Sequence, residues 1–134
     1  MSVIDGFTGS YTGSGAWYQA DGTAGPYDVT MTVDPSEGGF VLAFTHLFEN
    51  GDPPVEARFE MRSGFGPLFV VTAGGREIGK GHLFGDMLHY TMEFPGNVVE
   101  TTLRTTDDGL RITGSASRNA DGYAIAWEET LTAG

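Results

Sequence analysis

From Tyr27 to Asp34 apolar and polar side chains take turns without a break: Tyr27, Val29, Met31 and Val33 against Asp28, Thr30, Thr32 and Asp34. Alternate side chains of a strand share one face, so this run reads as a strand with one apolar side. The same period groups Phe40, Leu42, Phe44, His46 and Phe48, and then Val55, Ala57, Phe59 and Met61. It recurs in YAIAWEETL (123–131). PLFVVTA (67–73) is apolar on both faces, which leaves its facing open. No stretch carries an apolar stripe at helical spacing.

Turn signals separate these runs: Asp21-Gly22, Glu37-Gly38-Gly39, Asn50-Gly51-Asp52, Ser63-Gly64, Gly74-Gly75, Gly85-Asp86, Pro95-Gly96, Asp108-Gly109 and Asp121-Gly122. Gly and Asx supply the positive φ that tight hairpins need, and Pro-Gly suits the centre of a type II turn. These reversals mark out ten strands. Register can be followed through the last hairpins. A two-residue loop at Pro95-Gly96 sets Phe94 opposite Asn97, Met92 opposite Val99 and Tyr90 opposite Thr101. Four-residue loops at 106–109 and 119–122 then set Leu103 opposite Ile112, Gly114 opposite Trp127 and Ile112 opposite Glu129. Directly opposed side chains share a face. One face thus collects Leu88, Tyr90, Met92, Val99, Leu103, Leu110, Ile112, Ile125 and Trp127, while the other collects Glu93, Glu100, Arg104, Arg111 and Glu128. A one-residue slip would scramble that sorting. In the N-terminal half, a loop at 34–39 sets Tyr27 opposite His46, and Gly13 is expected opposite Met31.

A ten-strand meander with one apolar face forms either a two-layer sandwich or a barrel. Closure removes exposed edges, and consecutive tight hairpins favour the up-and-down form. The expected fold is therefore all-β: a ten-stranded antiparallel up-and-down β-barrel with a central cavity and no helical lid, residues 1–134 forming a single domain.

The first strand, in FTGSYTGSGAW (7–17), is unusual. One of its faces carries Phe7, Gly9, Tyr11, Gly13, Gly15 and Trp17, which are rings and glycines alone. Gly79, Gly81 and Gly114 fall on the same inner face, the last two opposite Tyr90 and Trp127. Two readings stand side by side: small residues make room for bulky neighbours, or rings line a hollow that glycine leaves open.

Together, GSYTGSGAW (9–17) and the ten-strand meander resemble the calycin superfamily of lipocalins, fatty-acid-binding proteins and nitrobindin-like barrels. The opening Gly-x-aromatic-x-Gly-x-Gly is most similar to the nitrobindin-like group. The loop at about 19–26 has no room for the helical pair of fatty-acid-binding proteins. The resemblance implies a barrel whose interior holds a small hydrophobic ligand. Nitrobindin-like proteins bind haem through a His near the C-terminal end, but YAIAWEETLTAG (123–134) contains none. No cofactor is expected on that ground.

Odd strands end, and even strands begin, at one rim, which gathers Trp17, Tyr27, His46, Phe48, Phe94, Arg118 and Tyr123. With Tyr90 and Trp127 these are the expected ligand-binding residues. An apolar pocket with a few convergent polar groups is the usual form of a small-molecule site. His46 and the Tyr hydroxyls would orient a polar ligand group, and Arg118 would pair with a carboxylate. The alternative for His46 is a hydrogen-bonded core residue, and for Arg118 an ordinary rim charge. Parity places Glu129 inward with Ile125, Trp127 and Leu131, where a carboxylate could act as general acid or base; a strand ending one residue earlier would leave it in water. His46 and Glu129 are the candidate catalytic residues. His82 and His89 are cross-strand neighbours, but they share a face with Lys80, Thr91 and Glu93. Without a clear third ligand they make no metal site.

Composition narrows the function further. The chain has 134 residues, 40% of them hydrophobic, enough for one core. Asp and Glu number 18 against 7 Lys and Arg, a formal charge of −11, which repels nucleic acid and anionic membranes. Cysteine is absent, which fits a reducing compartment. MSVIDGF has no signal-peptide pattern, and no run reaches the roughly 18 apolar residues of a membrane helix. A cytoplasmic acidic protein is expected, its partner a small hydrophobic ligand, with neither nucleic acid nor membrane. The leading function is binding of a small hydrophobic or aromatic molecule. The alternative is a cofactor-independent isomerase, cyclase or lyase acting on an apolar metabolite in the same cavity.

Overall fold

Tight reversals bring each strand back beside the one before it, and the last strand returns to the first. The computed structural model describes residues 3–118 and 124–134, without the side chains of Val3 and Arg118. Among them run ten strands: β1 (Gly9–Gln19), β2 (Ala24–Ser36), β3 (Gly39–Phe48), β4 (Val55–Ser63), β5 (Leu68–Ala73), β6 (Arg76–Phe84), β7 (Met87–Phe94), β8 (Asn97–Thr105), β9 (Gly109–Arg118) and β10 (Ala124–Ala133). Each pairs antiparallel with its sequence neighbour, and β1 pairs with β10 to close an up-and-down barrel. Gly96 takes φ 75°, as the second central residue of a type II turn requires. No helix among the described residues is long and apolar enough to cross a membrane.

The C-terminal register is as expected: Tyr90 faces Thr101, Leu103 faces Ile112, Gly114 faces Trp127 and Ile112 faces Glu129. Asp121-Gly122 lies outside the described residues. Two N-terminal registers need correction. Tyr27 pairs with Phe48, not His46, and Gly13 pairs with Val29, not Met31. The β2–β3 turn is tighter than the loop at 34–39, because Ser36 still pairs with Gly39. The first hairpin likewise closes earlier, with Tyr18 opposite Ala24. Both shifts are of two residues, so every side chain keeps its face. The ambiguous strand, β5, turns Phe69 and Val71 inward; a bulge between Val71 and Thr72 also buries Thr72, whose Oγ1 donates to the Glu60 carbonyl at 3.3 Å.

Aliphatic side chains pack together at one end of the barrel. Val33, Leu42, Val71, Leu88, Leu103, Leu110 and Leu131 are fully buried near the end where β1 begins. A single 3-10 turn (Val3–Gly6) lies at this end, with Ile4 and Phe7 buried. The Tyr11 hydroxyl donates to the Phe7 carbonyl at 2.7 Å and ties that turn to β1.

The glycine gaps of the inner face hold neighbouring atoms. A Cβ on Gly13 would lie 2.8 Å from Leu131 Cα, and one on Gly15 would lie 2.9 Å from Tyr27 Cζ and 2.7 Å from Glu129 Cγ. Rings lie over Gly81 (Phe69) and Gly114 (Trp127) in the same way. Gly13→Ala is expected to lower stability by about 1–3 kcal/mol, because the added carbon meets backbone that cannot swing aside. Urea unfolding measures this, with Gly6→Ala, which meets nothing within 4 Å, as the control. Equal midpoints for the two variants would refute the close approach at Gly13.

Candidate functional site

Towards the other end the side chains stop short of the axis and leave a cavity of about 500 Å³. That end is the rim where β1, β3, β5, β7 and β9 finish. Alternation along β1, β2 and β3 turns Trp17, Tyr27, Phe44, His46 and Phe48 into the cavity; β7 adds Tyr90 and Phe94, and β10 adds Trp127 and Glu129. Seven of the expected ligand-binding residues therefore line one space. Tyr123 lies outside the described residues. Arg118 stands at the end of β9 opposite Asn97.

A polar cluster sits in this apolar wall. Tyr27 donates from its hydroxyl to Glu129 Oε2 at 2.7 Å, and His46 Nε2 lies 3.3 Å from the same oxygen. Glu129 is only 2% exposed, because β10 runs on to Ala133 and the alternation stays in phase. The strand does not end early to release it into water. The His46 ring stacks on Phe44 with centroids 4.6 Å apart and leans on Tyr27 at 4.7 Å. Those contacts, with Phe48 edge-on at 6.5 Å, hold the imidazole in place. Although Tyr27 does not pair directly with His46, the diagonal neighbour is close enough for ring contact and for a shared oxygen.

Phe44, Phe59, Met31, Met92 and Thr101 also line the cavity and were missed by confining the site to the rim. Their signal was in the alternation: Phe44 is two residues before His46 on the same face, and Thr101 is directly opposite Tyr90. Asp52, in the β3–β4 loop, lines the mouth; its Oδ2 accepts from Asn50 Nδ2 at 2.9 Å. On the outside of the barrel, His82 and His89 face each other with ring centroids 5.3 Å apart, and His89 Nδ1 lies 2.9 Å from Thr102 Oγ1. Among the described residues no group of three or more His, Cys, Asp and Glu is placed to hold a metal ion.

No protein-family model matches the chain, and no curated protein matches it in sequence. Solved structures do match it in shape. The S-type phycobiliprotein lyase CPES from Guillardia theta superposes with a TM-score of 0.78 at 8% identity, over 100% of this chain and 93% of that one. A DUF3598-family protein of unknown function from Nostoc punctiforme gives 0.73 at 9% identity, and this chain spans 49% of its length. Rv2717c from M. tuberculosis gives 0.65 at 9% identity, over 100% of this chain and 98% of that one. The likeness is one of fold: a closed, lipocalin-like antiparallel β-barrel.

Among the described residues, no inward position of β10 carries the histidine that the resemblance to nitrobindin-like barrels implies as a haem ligand. The inward positions of β10 are Ile125, Trp127, Glu129 and Leu131, and His46 is engaged at Nε2 by Glu129. That donor set does not fit the haem ligation the resemblance would imply. On the aromatic wall stands a carboxylate that accepts from the Tyr27 hydroxyl and lies 3.3 Å from His46 Nε2.

Burial, with the charge and hydrogen bond of Glu129 adding to it, pushes the Tyr27 phenol far above its ordinary value of 10.0. Burial also pushes Tyr90 up to about 12; a hydrogen bond with Thr101 opposes that shift and the charge of Glu129 adds to it. Both phenols are therefore proton donors throughout the ordinary pH range. In the unfolded chain they ionise near 10.0, whereas in the fold they keep their protons to higher pH. Above pH 10.0 the unfolded state then binds fewer protons, so stability is full below that value and falls as pH rises towards about 12. Urea midpoints across this window should fall in the wild type and fall less steeply in Tyr90→Phe. Parallel slopes would show that the phenol titrates normally.

Proposed function

We infer that this barrel binds a small hydrophobic or aromatic molecule in its open half. The cavity carries the inference: about 500 Å³ lies within the roughly 300–1,000 Å³ usual for small-molecule pockets, and its wall is mostly apolar and rich in rings. In this reading Trp17, Tyr27, His46, Phe48, Tyr90, Phe94, Arg118, Tyr123 and Trp127 form the binding site, and residues 1–134 work as one unit in the cytoplasm. Within the calycin fold, the Gly-x-aromatic-x-Gly-x-Gly opening supports a nitrobindin-like affinity. The similar shape of a phycobiliprotein lyase supports a role in holding or processing a guest.

A second reading has its own support. His46 and Glu129 meet at 3.3 Å inside the cavity, with the Tyr27 hydroxyl on the same carboxylate. Such a cluster can move a proton on an enclosed apolar metabolite without a cofactor, as an isomerase, cyclase or lyase does.

Native mass spectrometry of protein purified from its own host tests both. One small molecule per barrel is expected, and it should be absent from Ala57→Trp, whose indole would fill the space between Phe44 and the opposite wall. Unliganded mass alone in the wild type would overturn the binding reading. Incubation with the released molecule separates the two: an unchanged mass supports binding, and conversion that is lost in Glu129→Gln supports the enzyme.

A further inference from the structure

The carboxylate of Glu129 is used on one side only. Its Oε2 takes the Tyr27 hydroxyl at 2.7 Å and lies 3.3 Å from His46 Nε2. Its Oε1 is buried and has no hydrogen-bond partner. The side chain is 2% exposed and lines the cavity. The Tyr27 hydroxyl donates to this carboxylate, and a carboxylate has room for about four donors. A buried acceptor left unmatched is unfavourable, so the missing donor defines what the cavity can accept.

The remaining charges of the cavity point the same way. Asp52 stands at the mouth, and no lysine or arginine whose side chain is described lines the cavity. The chain as a whole carries −11. Among the described side chains no lysine or arginine would offset an anionic guest beside Asp52 and Glu129, and the one imidazole there, His46, already lies at Glu129 Oε2. A cation is drawn in by the same field. The faces of Trp17 and Trp127 suit both a flat ring and a positive charge.

We propose that the cavity takes a flat aromatic ligand bearing a protonated nitrogen, whose N–H donates to Glu129 Oε1. This rests on the reading that the cavity binds a small apolar molecule, and adds its charge and its anchor point. It stands as an alternative to the expectation of a carboxylate ligand paired with Arg118.

Three probes of one ring system test it by calorimetry: 2-naphthamidine, which is a cation with N–H donors; methyl 2-naphthoate, which is neutral and accepts only; and 2-naphthoate, an anion. In the wild type the amidine should bind at least about tenfold tighter than the ester, and the naphthoate weaker than the ester. Glu129→Gln, checked for folding by circular dichroism, should bring the amidine to within about threefold of an unchanged ester. An amidine that binds no tighter than the ester overturns the proposal and leaves the apolar reading standing. A preference that survives Glu129→Gln overturns the anchor. Failure of all three probes overturns the apolar reading as well. The wild-type ranking alone decides the ligand class, so a variant that does not fold leaves the proposal testable.

Discussion

The ladder between β1 and β10 runs from Tyr11 opposite Ala133 to Gln19 opposite Ile125, and it is the step that turns a meander into a vessel. Without it the sheet keeps two open edges and an apolar face with nothing to cover it. Closing it demands that β1 approach its neighbours closely, and Gly13 and Gly15 allow this. The backbone of β10 lies where a Cβ of Gly13 would be, and Glu129 and Tyr27 lie where one of Gly15 would be. One of these glycines, Gly15, therefore also permits the Tyr27–Glu129 hydrogen bond, since β2 and β10 flank β1 on either side. Closure and polar cluster depend on one stretch of chain.

A closed ten-strand barrel has more interior than its side chains need to fill, and this chain divides that interior unequally. Leucines, valines and Phe7 occupy the end near the 3-10 turn, leaving no exposed surface on Leu42, Leu88, Leu103, Leu110 or Leu131. At the mouth the inward residues are mostly rings, held against the wall by one another: Phe44 on His46, His46 on Tyr27, Tyr27 on Phe48. Rings that lie along the wall leave the axis free. Stability is concentrated in the packed end, while the open end can carry a buried carboxylate that a filled core would not tolerate.

Much of this was legible in the alternation. Face assignment survived even where register did not, because the errors at β1–β2 and β2–β3 were of two residues, the period of the strand itself. The late hairpins were read correctly because short loops such as Pro95-Gly96 leave little freedom in pairing. β5 resisted because its bulge buries both Val71 and Thr72, and two adjacent buried residues erase a period of two. Glu129 was placed inward by parity but had an exposed alternative, since only the continuation of β10 to Ala133 decides between them. Its contact with His46 was not legible at all. Strand tilt brings the two together across β1 and β2, and no pairing rule along the chain encodes tilt.

The central claim is that rings at the mouth line an open space rather than meet across it. A crystal structure of the protein under xenon pressure tests it most directly, since xenon enters apolar cavities and is visible in density. The account predicts xenon in the mouth half, against Phe44, Met31 and Trp127, and none between the buried leucines Leu42, Leu88, Leu103, Leu110 and Leu131. Rings folded inward over the axis, with no xenon between them, would contradict it.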